Sequence, residues 1–456
     1  MTARNLTTGG VLKNIGYFSV PYVFSYFLQT LYGLADLFII GQFDGVESIT
    51  AVSIGSQVMH MLTVMIVGLA MGPTVVIAKA AGAKLRDKMA DAVGGTIILF
   101  AALSVVLTLA LLLSVDALVS FMATPAPAVS QTAAYLTICF AGVPFITAYN
   151  VISSVFRGMG DSKSPMYFIA VACVVNIVLD YVFIGAYDMG ATGAALGTTL
   201  SQAVSVLFSL TFVLKRHPVS FGGRRFLKWR AGVLKDILKI GVPVCLQDGF
   251  IQIAFIVITI IANLRGLTDA AAVGIVEKII GILFIIPSSM LSTVSAVCAQ
   301  SIGAGKRVRA LLTLRCASLI AVGFGVLSVA VVQFKADEIV GLFMKDGDAA
   351  VVVAGGQYLR GYIWDCIFAG VHFCFSGYFC ALGRSEISFL HNFLSIVCVR
   401  IPGSYFASKC FADTLFPMGL AAPAGSLFSV AVCFAAYLWL KKSAPAKEKF
   451  ARAGNF

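Results

Sequence analysis

The chain has 456 residues, 59% of them hydrophobic and only 12% charged, with a formal net charge of +12. Water-soluble domains run at roughly 45–50% apolar and about 25% charged residues, so this composition excludes a soluble globular protein and places the chain in a bilayer. The positive balance does not point to nucleic acid, because Lys and Arg are shared among alternate loops and do not form one patch.

Residues 1–10 are polar and hold no short apolar core ending in small residues, so no cleaved leader is expected and the first apolar stretch should stay as a span. Stretches of about 20 apolar residues then recur, each able to cross roughly 30 Å of hydrocarbon with its backbone polar groups satisfied internally. Twelve are expected, near 15–41, 49–77, 91–115, 130–154, 164–185, 190–214, 241–263, 270–299, 312–333, 353–380, 387–408 and 416–440. The two termini and the loops after spans 2, 4, 6, 8 and 10 carry 26 of the 33 Lys and Arg, while the intervening loops are mostly acidic. That alternation predicts a multi-pass protein of the cell (cytoplasmic) membrane with both termini cytoplasmic.

Within the first six spans, ionisable side chains stand out because each costs at least about 2.5–3.5 kcal/mol at membrane depth, so its retention calls for a partner or a task. Asp36 lies on span one, and Asn176 and Asp180 lie on span five. The last two are one helical turn apart and face the same way. Thr198 on span six can bring a hydroxyl to the same place. If these side chains converge, two carboxylates in a low-dielectric pocket cannot both ionise cheaply, and one proton would be held and released. The same four oxygen-bearing groups equally suit a hard cation such as Na⁺, and a purely helix-stitching role for Asn176 and Asp180 is the plainer alternative. Gly193 and Gly197 have the spacing of close helix packing.

Between the sixth and seventh spans, Lys215-Arg216-His217-Pro218 and Gly222-Gly223 break the pattern, and Arg224 to Lys239 resumes it as a basic amphipathic stretch. Such a stretch is expected to lie on the membrane surface as a tether. The chain is thus divided into a six-helix lobe over 1–214, a linker over 215–240 and a second six-helix lobe over 241–456.

The second half repeats the first. Val20-Pro21 answers to Val242-Pro243 at 222 residues, Gly82-Ala83 to Gly303-Ala304 at 221, and Gly160-Asp161 to Gly383-Arg384 at 223. An even number of spans per half makes the repeat parallel, about an axis along the membrane normal, so the fold class is an all-α membrane protein of twelve helices in two lobes. A solute path is expected where the lobes meet.

The acidic pattern is not repeated: Asp36 maps onto Ile258, Asn176 onto Val399 and Asp180 onto Gly403. Span seven holds Asp248 and span ten holds Asp365 and His372, candidates to line a cavity for a cationic solute. Pairing of the two acids with Arg360 or Lys278 is the alternative, and a helix–helix hydrogen bond is the plainer reading of His372 and of His60. Glu277 and Lys278 are neighbours on span eight and need separate partners, and Arg400 is expected to bond carbonyls freed by Pro402. The eleven cysteines are scattered without Cys-x-x-Cys spacing and read as packing thiols, so no metal other than Na⁺ is expected. No His-Glu-x-x-His, Gly-x-Ser-x-Gly or phosphate-binding Gly-x-x-x-x-Gly-Lys motif is present, so neither an enzyme nor an ATP-driven pump is expected, and no cofactor.

Asp36, the Asn176-x-x-x-Asp180 pair, Thr198, Phe156-Arg157-Gly158-Met159-Gly160-Asp161-Ser162, Gly193-Ala194-Ala195-Leu196 and Arg400-Ile401-Pro402, in that order along the whole chain, resemble the multidrug and toxic compound extrusion (MATE) carriers, particularly the DinF-like branch. The resemblance implies antiport of bulky, often cationic organic compounds or other hydrophobic drugs against H⁺ or Na⁺, by alternating access between two lobes in a lipid-embedded monomer. It also implies that Asp36, Asn176, Asp180 and Thr198 carry the coupling. A flippase for lipid-linked saccharide precursors shares the two-lobe scheme and is the alternative.

Overall fold

The computed structural model describes residues 5–216, 230–343 and 349–453. Over these residues the chain is helical, and no strand occurs among them. The helices run α1 (Val11–Phe43), α2 (Val46–Gly82), α3 (Arg86–Leu113), α4 (Val115–Phe121), α5 (Val129–Ala141), α6 (Val143–Gly158), α7 (Lys163–Asp180) and α8 (Gly190–Arg216). They continue as α9 (Ala231–Asn263), α10 (Leu267–Leu283), α11 (Ile285–Gly303), α12 (Arg307–Gly341), α13 (Ala349–Tyr362), α14 (Asp365–Leu382), α15 (Ser385–Ser395), α16 (Ile401–Cys410) and α17 (Phe416–Ala453). Short π segments extend α7 through Tyr181–Ala186 and join α15 to α16 through Ile396–Arg400.

Eleven of these stretches are long and apolar enough to cross a membrane, and the fourth expected span makes a twelfth as a pair, α5 and α6, bent by 43°. Gly142 and Pro144 sit at that bend, where proline has no N–H to give the Phe140 carbonyl one turn earlier and its ring crowds that carbonyl. Pro287 and Pro402 also fall within the first turn after a break. Pro21, Pro73 and Pro243 lie inside continuous helices, and Ser25 Oγ donates to the Pro21 carbonyl at 2.8 Å, an acceptor bond one turn along the same helix.

Of the expected tether, residues 217–229 lie outside the described residues. The remainder is not a separate surface helix: α9 begins at Ala231 and runs unbroken into the seventh span, burying Leu234 and Ile237. The apolar face of the basic stretch is thereby used in packing.

Two compact bodies form. One takes Met1–Gly249 with Ser295–Thr313, and the other takes Phe250–Val294 with Leu314–Phe456. In the first, α1 packs along α7 and α7 along α8, which sets three helices side by side around the nest of polar residues. In the second, Ile258, Val273, Val276, Tyr358, Leu359, Tyr362 and Met418 make the apolar core. Polarity is inverted relative to a soluble protein: Val105, Val106, Leu109 and Leu113 of α3 are exposed, while Ser289, Ser292, Thr293, Ser295 and Ser301 of α11 are buried.

Candidate functional site

Asp36 sits three-quarters of the way along α1, Asn176 and Asp180 close α7, and Thr198 lies in the third turn of α8. The structure brings all four together. Thr198 Oγ1 donates to Asp36 Oδ2 at 3.1 Å, and Asp180 and Asn176 stand within side-chain reach of the same carboxyl. Asp36 is 3% exposed and Asn176 and Asp180 are fully buried. The second oxygen of Asp36, both oxygens of Asp180 and both polar atoms of Asn176 nevertheless have no hydrogen-bond partner in good geometry. Buried polar atoms are normally satisfied, and a group of five left open around two acids is what a site for a proton, a small cation or water looks like.

No cation of the protein neutralises these acids among the described residues. Tyr32 of α1, Tyr135 and Cys139 of α5 and Cys173 of α7 lie within electrostatic range of Asp36, and none of these is basic. Gly197 completes the wall: a Cβ there would collide with Asp180 Oδ1, so only glycine lets α8 approach the carboxylate this closely. Read from sequence as a helix-packing glycine, Gly197 is a site residue. Its place immediately before Thr198 is the only signal that could have suggested it.

The oxygens of Asp36, Asp180, Asn176 and Thr198 form a hard donor set suited to Na⁺ as well as to a proton. Among the described residues, no three His, Cys, Asp or Glu side chains come together to hold a metal ion.

The second body treats its acid differently. Asp365, fully buried at the start of α14, accepts from Arg400 Nη2 at 2.5 Å, and the same nitrogen donates to Ser426 Oγ of α17 at 3.1 Å. The expected pairing of Asp365 with Arg360 or Lys278 therefore gives way to Arg400, and Arg360 pairs with Asp337 at 2.8 Å. Arg400 serves a carboxylate, not the carbonyls ahead of Pro402, because the π segment turns its side chain toward α14 and α17. His372 is 3% exposed and bonds through Nε2 to Ser426 Oγ at 3.2 Å, a helix–helix link. Asp365 and His372 are thus linked inside the second body through Arg400 and Ser426, with the His391 ring edge-on to His372. Asp248, on α9 in the first body, is half-buried against Gly68 of α2. Glu277 accepts from Thr259 Oγ1 at 3.2 Å, and His60 lies on an exposed face of α2.

The chain resembles known proteins over most of its length. The MatE family model matches twice, over residues 21–182 and 243–406, so the two matches begin 222 residues apart. The chain is 29% identical over 441 residues to the probable multidrug resistance protein YpnP of Bacillus subtilis, covering 97% of each chain. It is 23% identical over 382 residues to the multidrug export protein MepA of Staphylococcus saprophyticus, covering 82% of this chain and 83% of that one. Among solved structures, an outward-facing multidrug resistance MATE transporter superposes with a TM-score of 0.89 at 25% identity, covering 97% of this chain and 98% of the other. A MATE in complex with MaL6 does so with a TM-score of 0.88 at 25% identity, covering 98% and 99%. With both halves matched and the fold shared from end to end, the chain belongs to the MatE family of membrane transporters.

Proposed function

We propose that the chain is a secondary active antiporter that exports bulky, often cationic organic compounds in exchange for H⁺ or Na⁺, with Asp36, Asn176, Asp180 and Thr198 as the coupling site. The observation that carries this reading is the convergence of two buried acids with no cation among the described residues to balance them. An ionised nest attracts a cationic solute, whereas a nest that has taken up a proton or Na⁺ is neutral and lets the solute go. Solute and coupling ion then compete for one place, which is what exchange requires. The names of the multidrug relatives supply the solute class, and the basic loops supply the orientation, with both termini cytoplasmic in the cell membrane. A monomer organised as lobes 1–214 and 241–456 about the linker fits the repeat.

The flippase alternative would need free cationic side chains to meet a lipid pyrophosphate. Of the three membrane-depth cations Lys278, Arg360 and Arg400, the two arginines are committed to carboxylates, which counts against a cluster of them meeting such a ligand. The deciding experiment reconstitutes the protein in vesicles and follows a fluorescent organic cation while pH and Na⁺ gradients are imposed separately. Gradient-driven efflux is expected with at least one of the two ions, and Asp36→Asn or Asp180→Asn should abolish the coupling without lowering thermal stability. Full coupled efflux by Asp36→Asn overturns the proposal.

A further inference from the structure

Residues 5–10 precede α1 and carry no helix, yet they are tied down more thoroughly than a terminal segment needs to be. Leu6 is fully buried in a small apolar cluster with Phe18 and Tyr22 of α1 and Ala296 and Val297 of α11. Its amide donates to Gln300 Oε1 of α11 at 3.1 Å, and its carbonyl accepts from Asn14 Nδ2 at 3.0 Å and Arg309 Nε at 3.2 Å. The Thr7 carbonyl accepts from Lys306 Nζ at 2.9 Å. Thr8 accepts from Asn14 Nδ2 at 2.9 Å and Arg309 Nη2 at 3.0 Å, and Gly9 accepts from Arg309 Nη1 at 2.8 Å. Four successive carbonyls each receive a side-chain donor, and most of those donors are cationic, the stronger kind of hydrogen bond.

The anchoring side chains come from both halves of the repeat. Asn14 belongs to α1, whereas Gln300, Lys306 and Arg309 belong to α11, the turn after it and α12, within the same compact body. The segment therefore bridges a seam between the halves. At that seam α2 and α11 touch backbone to backbone: a Cβ on Gly82 would collide with the Gln300 carbonyl, and one on Gly303 would collide with the Lys79 carbonyl. Those two contacts are repeat-related, since Lys79 and Gln300 stand 221 residues apart just as Gly82 and Gly303 do. Gln300 takes part in both the seam and the segment's anchorage, and its Nε2 also donates to the Gly158 carbonyl at the end of α6 at 3.2 Å.

We propose that α11, α12 and α1 form a built groove whose ligand is the chain's own residues 5–9, a turned strap with one apolar anchor, and that the docked strap holds this face of the transporter shut. Parting α2 from α11 would carry Gln300, Lys306 and Arg309 away from Asn14 and break the groove. The strap must then leave before the face can open, and its docking favours the closed seam by the free energy of its contacts. This rests on the alternating-access reading above, and the test separates the two.

Leu6→Cys with Ala296→Cys, in a chain whose exposed Cys398 and Cys410 are replaced by Ser, places two thiols in one buried cluster across the seam. Oxidation of this variant in vesicles should bring efflux of the fluorescent cation to background, and dithiothreitol should restore it. Oxidised protein that transports at the reduced rate overturns the strap. Absence of gradient-driven efflux in the unmodified parent would instead sink the antiport reading. Hydrogen exchange on the unmodified cysteine background keeps the proposal falsifiable should the double variant fail to fold. In Arg309→Ala, residues 5–10 should exchange roughly tenfold faster or more, as loss of charge-assisted hydrogen bonds implies, while α14 is unchanged. Unaltered exchange of residues 5–10 in Arg309→Ala overturns it as well.

Discussion

Asp365 and Arg400 are both taken out of water, at a cost of several kcal/mol per ion that only good pairing geometry returns. Their 2.5 Å contact and the shared Ser426 supply that geometry, so removing one partner strands the other. Arg400→Gln should destabilise the protein by about 3–5 kcal/mol, and the double change Asp365→Asn with Arg400→Gln should recover most of the loss, because two neutral amide groups can still meet there. Thermal unfolding of the three variants measures both effects; a double variant no more stable than Arg400→Gln alone would mean that the charges do not act as a pair. At this scale the sequence spoke unevenly. Asp36, Asn176, Asp180 and Thr198 were legible because the membrane makes each isolated polar group costly and helical spacing says which groups share a face. The partner of Asp365 was not, since Arg360 and Arg400 are both arginines at membrane depth and only the course of α15 through its π segment decides between them. Gly197 was half legible: its small size was read correctly, but what it makes room for is a carboxylate of α7, not another helix backbone.

Spans as elements followed from hydropathy almost without remainder, because lipid leaves the backbone few options other than a helix. What hydropathy could not express is interruption. The bend between α5 and α6 has Gly142 and Pro144 as a visible cause, whereas the π segments after Asp180 and before Ile401 have none, since one extra residue in a helical turn leaves no mark in composition. Both interruptions fall on the fifth span of their half, and each has an ionisable group at its edge, Asp180 in one and Arg400 in the other. The contact of α2 with α11 is a second element-level feature hidden in sequence, where Gly82 and Gly303 served only as landmarks of the repeat. Because each glycine lies against a carbonyl of the opposite helix, Gly82→Ala and Gly303→Ala should push the helices apart to a similar extent. Each is expected to raise hydrogen exchange in residues 5–10 several-fold, in line with the loss of one or two docking contacts. A large effect from one glycine and none from the other would show that the seam does not keep the symmetry of the repeat.

For the molecule as a whole, the duplicated architecture and the unduplicated chemistry pull in different directions. The family model matches both halves, yet Asp36, Asn176 and Asp180 have only Ile258, Val399 and Gly403 in the second. There Asp365 is already neutralised by Arg400 of the same body. On the proposed function, the acids that exchange an ion lie in the first half, while Asp365 in the second carries its compensating cation as part of the fold. Ion dependence should then follow the first half alone, which can be tested at equilibrium, without any gradient. On the proposed function, an organic cation should bind most tightly when the nest is ionised, and its affinity should drop as falling pH neutralises the nest. Asp36→Asn removes one of the two acids that would share the proton, so its cation affinity should depend on pH differently from the parent, with a flatter profile. The Asp365→Asn, Arg400→Gln double variant should keep the parent profile, because replacing a neutral pair by a neutral pair changes no charge that the solute meets. Titration of a fluorescent cation against detergent-purified protein across pH, repeated with Na⁺ at fixed pH, reads all three. A profile that stays put in Asp36→Asn and moves in the double variant would transfer the coupling to the second half and leave the open acids of the first without a task.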